Sequence, residues 1–340
     1  MPFAPGFDRT EALDLLNFCA IIENGVAPPI PNDPPAGWTL VFPSPVIGPF
    51  DNMWQLWKRT ADGAFAVVVR GTTMNAGSIL EDLIALMIKG KGTLQLGGMQ
   101  FDYQFAADPL ADVHIGFALG ALLLLKDPAS GILAQFAKNG VGANSKVYVT
   151  GHSQGAAVAT LIRSYLEYAA DSPKQVGYKT YVYAQPKPGN DHYAEDFENR
   201  FCDNDLAFRI TNSLDWVPQV PFTIEFLSDI NTPNPLSVLG ALTIPLAVLQ
   251  KAVDQFVVIA RMHARAQLQA ASASVAKLGA IATSAPTVGA DAQLVPTLNF
   301  VNAGTEIALM GVPCVGDQCK DGFFEHHAST YYGLLQQQFP

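Results

Sequence analysis

The chain has 340 residues, of which 49% are hydrophobic and 15% charged, enough apolar surface for one large domain or two ordinary ones. With 20 basic against 30 acidic residues it carries a formal net charge of −10. That balance excludes nucleic acid as a partner, since no basic stripe exists to neutralise phosphates, and argues against electrostatic capture by anionic membranes.

The first residues, MPFAPGFDRTEALDLLNFCA, lack the basic start and unbroken apolar stretch of a secretory signal. The expectation is a cytoplasmic or non-classically exported protein, or a secreted one if the sequence was trimmed. Thr10 to Glu23 is amphipathic, with Asp8 or Thr10 as N-cap, and predicts the first helix. Strand-like runs follow at Trp38 to Phe42, Phe65 to Arg70, Met99 to Phe105, Lys146 to Thr150, Lys179 to Ala184 and Ala207 to Thr211. Helix-like runs lie at Asp112 to Lys126, Ile132 to Lys138, Ala156 to Ala170 and Asp191 to Arg200. Strands alternating with helices predict an α/β protein with a mostly parallel sheet and helices on both faces. In such sheets active sites collect beyond the C-terminal strand ends.

The pattern changes after Phe226. Ile230 to Gln250 carries no charge, but Pro233, Pro235 and Pro245 with Asn231 and Asn234 interrupt it too often for a lipid-exposed span. From Leu246 through Leu249, Val253, Phe256, Ala260, Ala264, Leu268, Ala271 and Val275 to Leu278 the apolar spacing is helical. It predicts one long helix of about 50 Å, or two with a break, and Gly279 to Val295 reads as a loop. The expected division is a core of 1–225 and 296–340 with a mainly helical cap or lid insertion at 226–295.

The chemistry centres on VYVTGHSQGAAVATL. Gly-x-Ser-x-Gly by itself would arise in about one chain in ten of this length from average composition. Here a β-rich run leads in and a small-residue helical run leads out. That context makes Ser153 a nucleophile on a sharp turn, with Gly151 and Gly155 where strand and helix approach too closely for a β-carbon. A serine needs a base, and the base an orienting carboxylate. In hydrolase sheets the order is Ser, acid, His. Asp215, just past the strand Phe208 to Thr211, is the best-placed acid; Asp203 and Asp205 precede that strand. Of the six histidines, His263, His326 and His327 follow. His263 lies in the long helix, so the base comes from the pair His326-His327. The oxyanion requires donors set in advance: the backbone N–H of Gln154, and a threonine of the Gly71-Thr72-Thr73 turn after the strand Phe65 to Arg70.

Cys314 and Cys319 bracket a tight turn, PCVGDQC, before the histidine pair. A disulfide there would depend on compartment and would brace that segment. A zinc site from these cysteines and His326 and His327 is disfavoured, because adjacent histidines chelate one metal poorly. Cys19 and Cys202 read as plain thiols in or near the core.

Five motifs together resemble the class 3, fungal-lipase-like branch of the α/β-hydrolases. They are VVVRGTT followed by LEDL, Val113 to Phe117 (VHIGF), the serine elbow including His152, AQPKPGN, and RITNSLDWVPQVP. The resemblance covers roughly residues 35–225 and the last 20 or so. It implies a serine carboxylester hydrolase acting on acylglycerols or related lipid esters, with no cofactor and no metal. Ser153 would be nucleophile, Asp215 acid, and Thr72 with Gln154 oxyanion donors. In bacterial members the base is often followed five positions on by the tyrosine of a Thr-Tyr pair. Thr330-Tyr331 then selects His326, with His327 as the alternative, and suggests a bacterial member.

The interval from Asp215 to His326, 111 positions, is about twice that of compact members. A lid would lie at Asn75 to Lys91, with apolar helix at 79–88, in the insertion, or in both. Small-ester, feruloyl or polyester hydrolysis, acyl transfer, and non-catalytic lipid binding are the alternatives on the same fold. Partners implied are the ester substrate and a transient lipid interface; oligomeric state is left open.

Overall fold

The computed structural model describes residues 3–71, 86–223, 247–278, 294–295 and 297–339. In chain order come α1 (Arg9–Ile22), β1 (Trp38–Pro43), β2 (Trp54–Arg59), β3 (Phe65–Val69), β4 (Met87–Lys89), β5 (Lys91–Leu96), β6 (Met99–Gln104) and β7 (Asp112–His114). They are followed by α2 (Ile115–Lys126), α3 (Ile132–Lys138), β8 (Lys146–His152), α4 (Gln154–Tyr168), β9 (Gly177–Tyr183), α5 (Asp191–Phe197), β10 (Ala207–Asn212) and α6 (Ala247–Leu278). The described elements end with β11 (Leu294–Val295), β12 (Thr305–Leu309) and α7 (Ala328–Gln338).

Seven strands form the central sheet in the order β1-β2-β3-β8-β9-β10-β12. The five from β3 to β12 are parallel, and β1 and β2 extend the edge antiparallel. Both faces are covered, so the inner strands read as nearly unbroken apolar runs. Period-two alternation still sorts their side chains. Phe65, Val67, Val69, Val147 and Val149 enter the cluster shared with α2 and α4. Ala66, Val68 and Tyr148 enter the opposite cluster, with α1 and α7. Asp8 caps α1 by accepting the Glu11 N–H.

Several expectations are corrected. Asp112 to His114 is strand, not helix. The helix begins at Ile115 because the His114 ring accepts the Gly116 and Phe117 N–H groups and caps it. Met87 and Ile88, expected at the end of a lid helix at 79–88, lie instead in the strand β4 between β7 and β11; residues 79–85 of that expected helix lie outside the described residues. Val295, read as loop, pairs with Met87.

Residues 247–278 form one unbroken helix. Its buried residues, Ala260, Ala264, Leu268, Ala271 and Val275, fall at the spacing read from the sequence and join the main apolar cluster. The helix packs on β5 and α2, and Gly97 lets the β5–β6 turn approach it. A β-carbon there would lie 2.5 Å from the Ala276 nitrogen. Among the described residues no helix is long and apolar enough to cross a membrane.

Candidate active site

β8 runs into α4 through Ser153, whose backbone sits at φ 58°, ψ −135°. A side chain rarely adopts this conformation, and it is held here by its surroundings. A β-carbon at Gly151 would lie 2.3 Å from the Gly155 carbonyl oxygen, and one at Gly155 would lie 2.5 Å from that of Val69. The two glycines therefore set how tightly the turn closes, and the closed turn lifts the serine above the sheet. Ser153 is 8% exposed.

Asp215 follows β10 in a turn closed by its own N–H on the Asn212 carbonyl at 3.0 Å. Its Oδ1 accepts the Val217 N–H at 3.0 Å. Its Oδ2 accepts both the Tyr331 hydroxyl at 2.8 Å and His326 Nδ1 at 2.8 Å. His326 Nε2 lies 2.8 Å from Ser153 Oγ. Because the carboxylate only accepts, Nδ1 carries the ring proton and Nε2 offers its lone pair to the serine hydroxyl. The imidazole is buried. Burial pushes its pKa below the ordinary histidine value, against the pull of Asp215. The same burial opposes the charge on Asp215, but the His326 ring and the donors from Val217 and Tyr331 outweigh it and hold that carboxyl below the usual carboxylate range.

The structure thus brings Ser153, Asp215 and His326 together, although 173 positions separate the serine from the histidine. It does not bring His327 to them. That ring is turned outward, its Nε2 2.6 Å from Asp321 Oδ2. Gln154 is the first residue of α4, where backbone N–H groups point out along the helix axis toward an anion. Thr72 lies outside the described residues. The turn ahead of it does reach the site, since a β-carbon on Gly71 would lie 3.3 Å from Ser153 Cβ. His263 lies half-buried on α6. Cys314 and Cys319 are joined as a disulfide in the segment before His326.

Sequence reasoning used Tyr331 only as a register mark for the histidine. Its hydroxyl also accepts the Asn212 N–H at 3.1 Å, so it ties the acid turn to α7. Asn212 in turn donates to the Glu325 carbonyl at 2.8 Å, next to the base. Tyr331→Phe is expected to lower stability by about 1–3 kcal/mol, because a buried N–H loses its acceptor and a buried carboxylate loses a donor. Urea denaturation of the two proteins checks this. Glu23 and His152, which lie behind His326, were missed as a pair.

Residues 66–225 match the family model described as Lipase (class 3). A secreted mono- and diacylglycerol lipase of Malassezia restricta is 29% identical over 154 residues, 45% of this chain and 46% of the relative. A secreted mono- and diacylglycerol lipase of Malassezia globosa is 38% identical over 80 residues, 24% of this chain and 25% of the relative. The chain thus matches less than half the length of these curated relatives. Among solved structures, M37 lipase superposes with a TM-score of 0.52 at 16% identity, covering 96% of this chain and 91% of that one. The chain has the α/β-hydrolase fold, and its residues 66–225 carry the sequence pattern of the class 3 lipases.

Proposed function

We propose that the protein is a serine carboxylester hydrolase whose substrates are lipid-like esters, and that Ser153, His326 and Asp215 are its catalytic residues. The observation that carries this is the pair of 2.8 Å contacts of one buried imidazole, Nε2 to the serine and Nδ1 to the aspartate. Ser153 Oγ bonds to the ester carbonyl carbon as its proton passes to His326 Nε2, and the carbonyl electron pair moves onto oxygen. The N–H of Gln154 and a donor from Thr72 would receive that oxyanion. Collapse breaks the bond to the leaving alcohol, which takes the proton from His326. Water then repeats the sequence on the acyl-enzyme and releases the acid. Asp215 keeps the ring in the working tautomer and stabilises the imidazolium while it exists. None of these steps calls on a cofactor.

The substrate class rests on the family segment and on the relatives described as mono- and diacylglycerol lipases. We propose further that 226–295 is an insertion on a core of 1–225 and 296–340, with α6 flanking the acyl pocket. An oxidising, extracellular location accords with the Cys314–Cys319 disulfide and with the secreted relatives. Hydrolysis of p-nitrophenyl esters from acetate to palmitate tests the activity and places the chain-length optimum. No hydrolysis of any of them by folded protein would contradict it.

The base acts as neutral imidazole, and its pKa is depressed. The neutral form therefore survives to lower pH, and the acid limb of kcat/KM is expected below the ordinary histidine value of about 6.5. Folding follows the same sign. The histidine and Asp215 both bind their protons less readily in the folded chain, so stability falls as pH drops from each group's unfolded value through its lower folded value. A kcat/KM profile and denaturation midpoints measured across acidic pH check both.

A further inference from the structure

Behind the catalytic imidazole lies a second imidazole, buried, paired with a half-buried carboxylate. His152 immediately precedes Ser153 and is 4% exposed. Its Nε2 lies 2.8 Å from the backbone carbonyl oxygen of His326, and its Nδ1 lies 3.1 Å from Glu23 Oε2. Glu23 caps the C-terminus of α1. Its other oxygen, Oε1, accepts the Gly71 N–H at 3.4 Å, at the end of β3 where the chain turns toward Thr72. One carboxylate therefore touches the turn that precedes Thr72 and the ring that adjoins the nucleophile. That ring in turn holds the main chain of the base.

Both ring nitrogens of His152 face acceptors. A carbonyl oxygen cannot donate, so Nε2 must carry a proton. A carboxylate opposite Nδ1 favours a proton there as well. We propose that Glu23 and His152 are positioning residues for the ester hydrolysis: a half-buried carboxylate and a buried imidazolium that fix His326 from its backbone side and join it to the turn after β3. This rests on the reading of His326 as the base.

The charged groups around His152 support the assignment. Glu23 reaches it from α1, Asp215 lies beyond β10, and the His326 ring stands 4.7 Å away between centroids. The Tyr331 ring of α7 meets it edge-on at 6.1 Å. Burial opposes the charged ring, yet Glu23 and the His326 carbonyl outweigh it, and its pKa lies above the ordinary value. The cation also bears on the base, since it disfavours a second charge on His326. As pH rises through that raised value His152 gives up its Nδ1 proton, and a bare nitrogen then faces a carboxylate, acceptor against acceptor. The brace loosens at that point.

The test combines two readouts. Nitrogen-15 spectra of the histidine rings at neutral pH are expected to show His152 with both nitrogens protonated beside a neutral His326. In Glu23→Gln the amide can still accept from Gly71 and donate to Nδ1, so His152 becomes neutral and the geometry is kept. Wild-type kcat/KM is expected to fall on the alkaline side, and Glu23→Gln to lose that limb. Glu23→Ala, with no partner for either group, is expected to lose about ten- to a hundredfold in kcat with little change in KM, as small misplacements of a base do. A neutral His152 in the wild type, or an alkaline limb unmoved by Glu23→Gln, overturns the proposal. The spectra need no substrate. A charged His152 in a protein whose Ser153 resists phosphonylation would therefore count against the ester reading and not against the pair.

Discussion

Ser153→Ala is expected to abolish turnover of a p-nitrophenyl ester, lowering kcat by roughly a million-fold, the scale on which nucleophile removal acts in serine hydrolases. The argument starts at the backbone. The serine occupies a φ of 58°, and the neighbouring glycines leave no room for a β-carbon on either side. Strain of this kind persists only where surrounding structure over-determines it. Alanine carries the same β-carbon as serine, so the turn should survive and the loss should be chemical. The folded variant is expected to keep the wild-type circular dichroism and to bind ester without cleaving it. An active variant would remove the nucleophile assignment, and an unfolded one would be uninformative, which makes the spectrum part of the measurement.

His326→Ala should cost nearly as much in kcat, about 10⁵- to 10⁶-fold, while His327→Ala should leave activity within about a factor of three. The two histidines are neighbours in sequence but not in environment. His326 is fully buried with both nitrogens engaged inside the site. His327 is the N-cap of α7, and its half-exposed ring is engaged with Asp321 on the surface. Residues that act as one unit are not additive. Ser153→Ala/His326→Ala is therefore expected to be no slower than Ser153→Ala alone. Parallel kinetics on the three single variants and the double variant decide the register. Equal losses at 326 and 327 would mean that the loop, rather than one imidazole, carries the effect.

Local signals made much of this legible in the sequence. β3 and β8 stood out because strands covered on both faces are apolar throughout. α6 stood out because one face repeats at helical spacing for about nine turns, and Ala260 through Val275 are buried at those positions. The elbow was legible because steric demand selects glycine at both flanks.

What stayed hidden depends on contacts distant in sequence or on short, exposed elements. β12, TEIAL, is an edge strand whose alternation was too brief to register. β2, WQLWKR, carries polar residues among its tryptophans. β7 is three residues long and read as the start of α2. Glu23 looks like any acidic residue at a helix end, and its meeting with His152 spans 129 positions. The hydroxyl of Tyr331 reaches Asp215 across 116 positions. Of the turn chosen for the oxyanion, only Gly71 lies among the described residues, and its missing side chain admits the His152 carbonyl and the Ser153 β-carbon.

The central claim is that Ser153 forms a covalent acyl intermediate with help from His326. The most direct test is to incubate the protein with an alkyl fluorophosphonate and locate the adduct by peptide mass spectrometry. The account predicts one adduct per chain, on Ser153, formed rapidly in the wild type and far more slowly in His326→Ala. A folded wild type that forms no adduct, or that is modified elsewhere while Ser153 stays free, would contradict it.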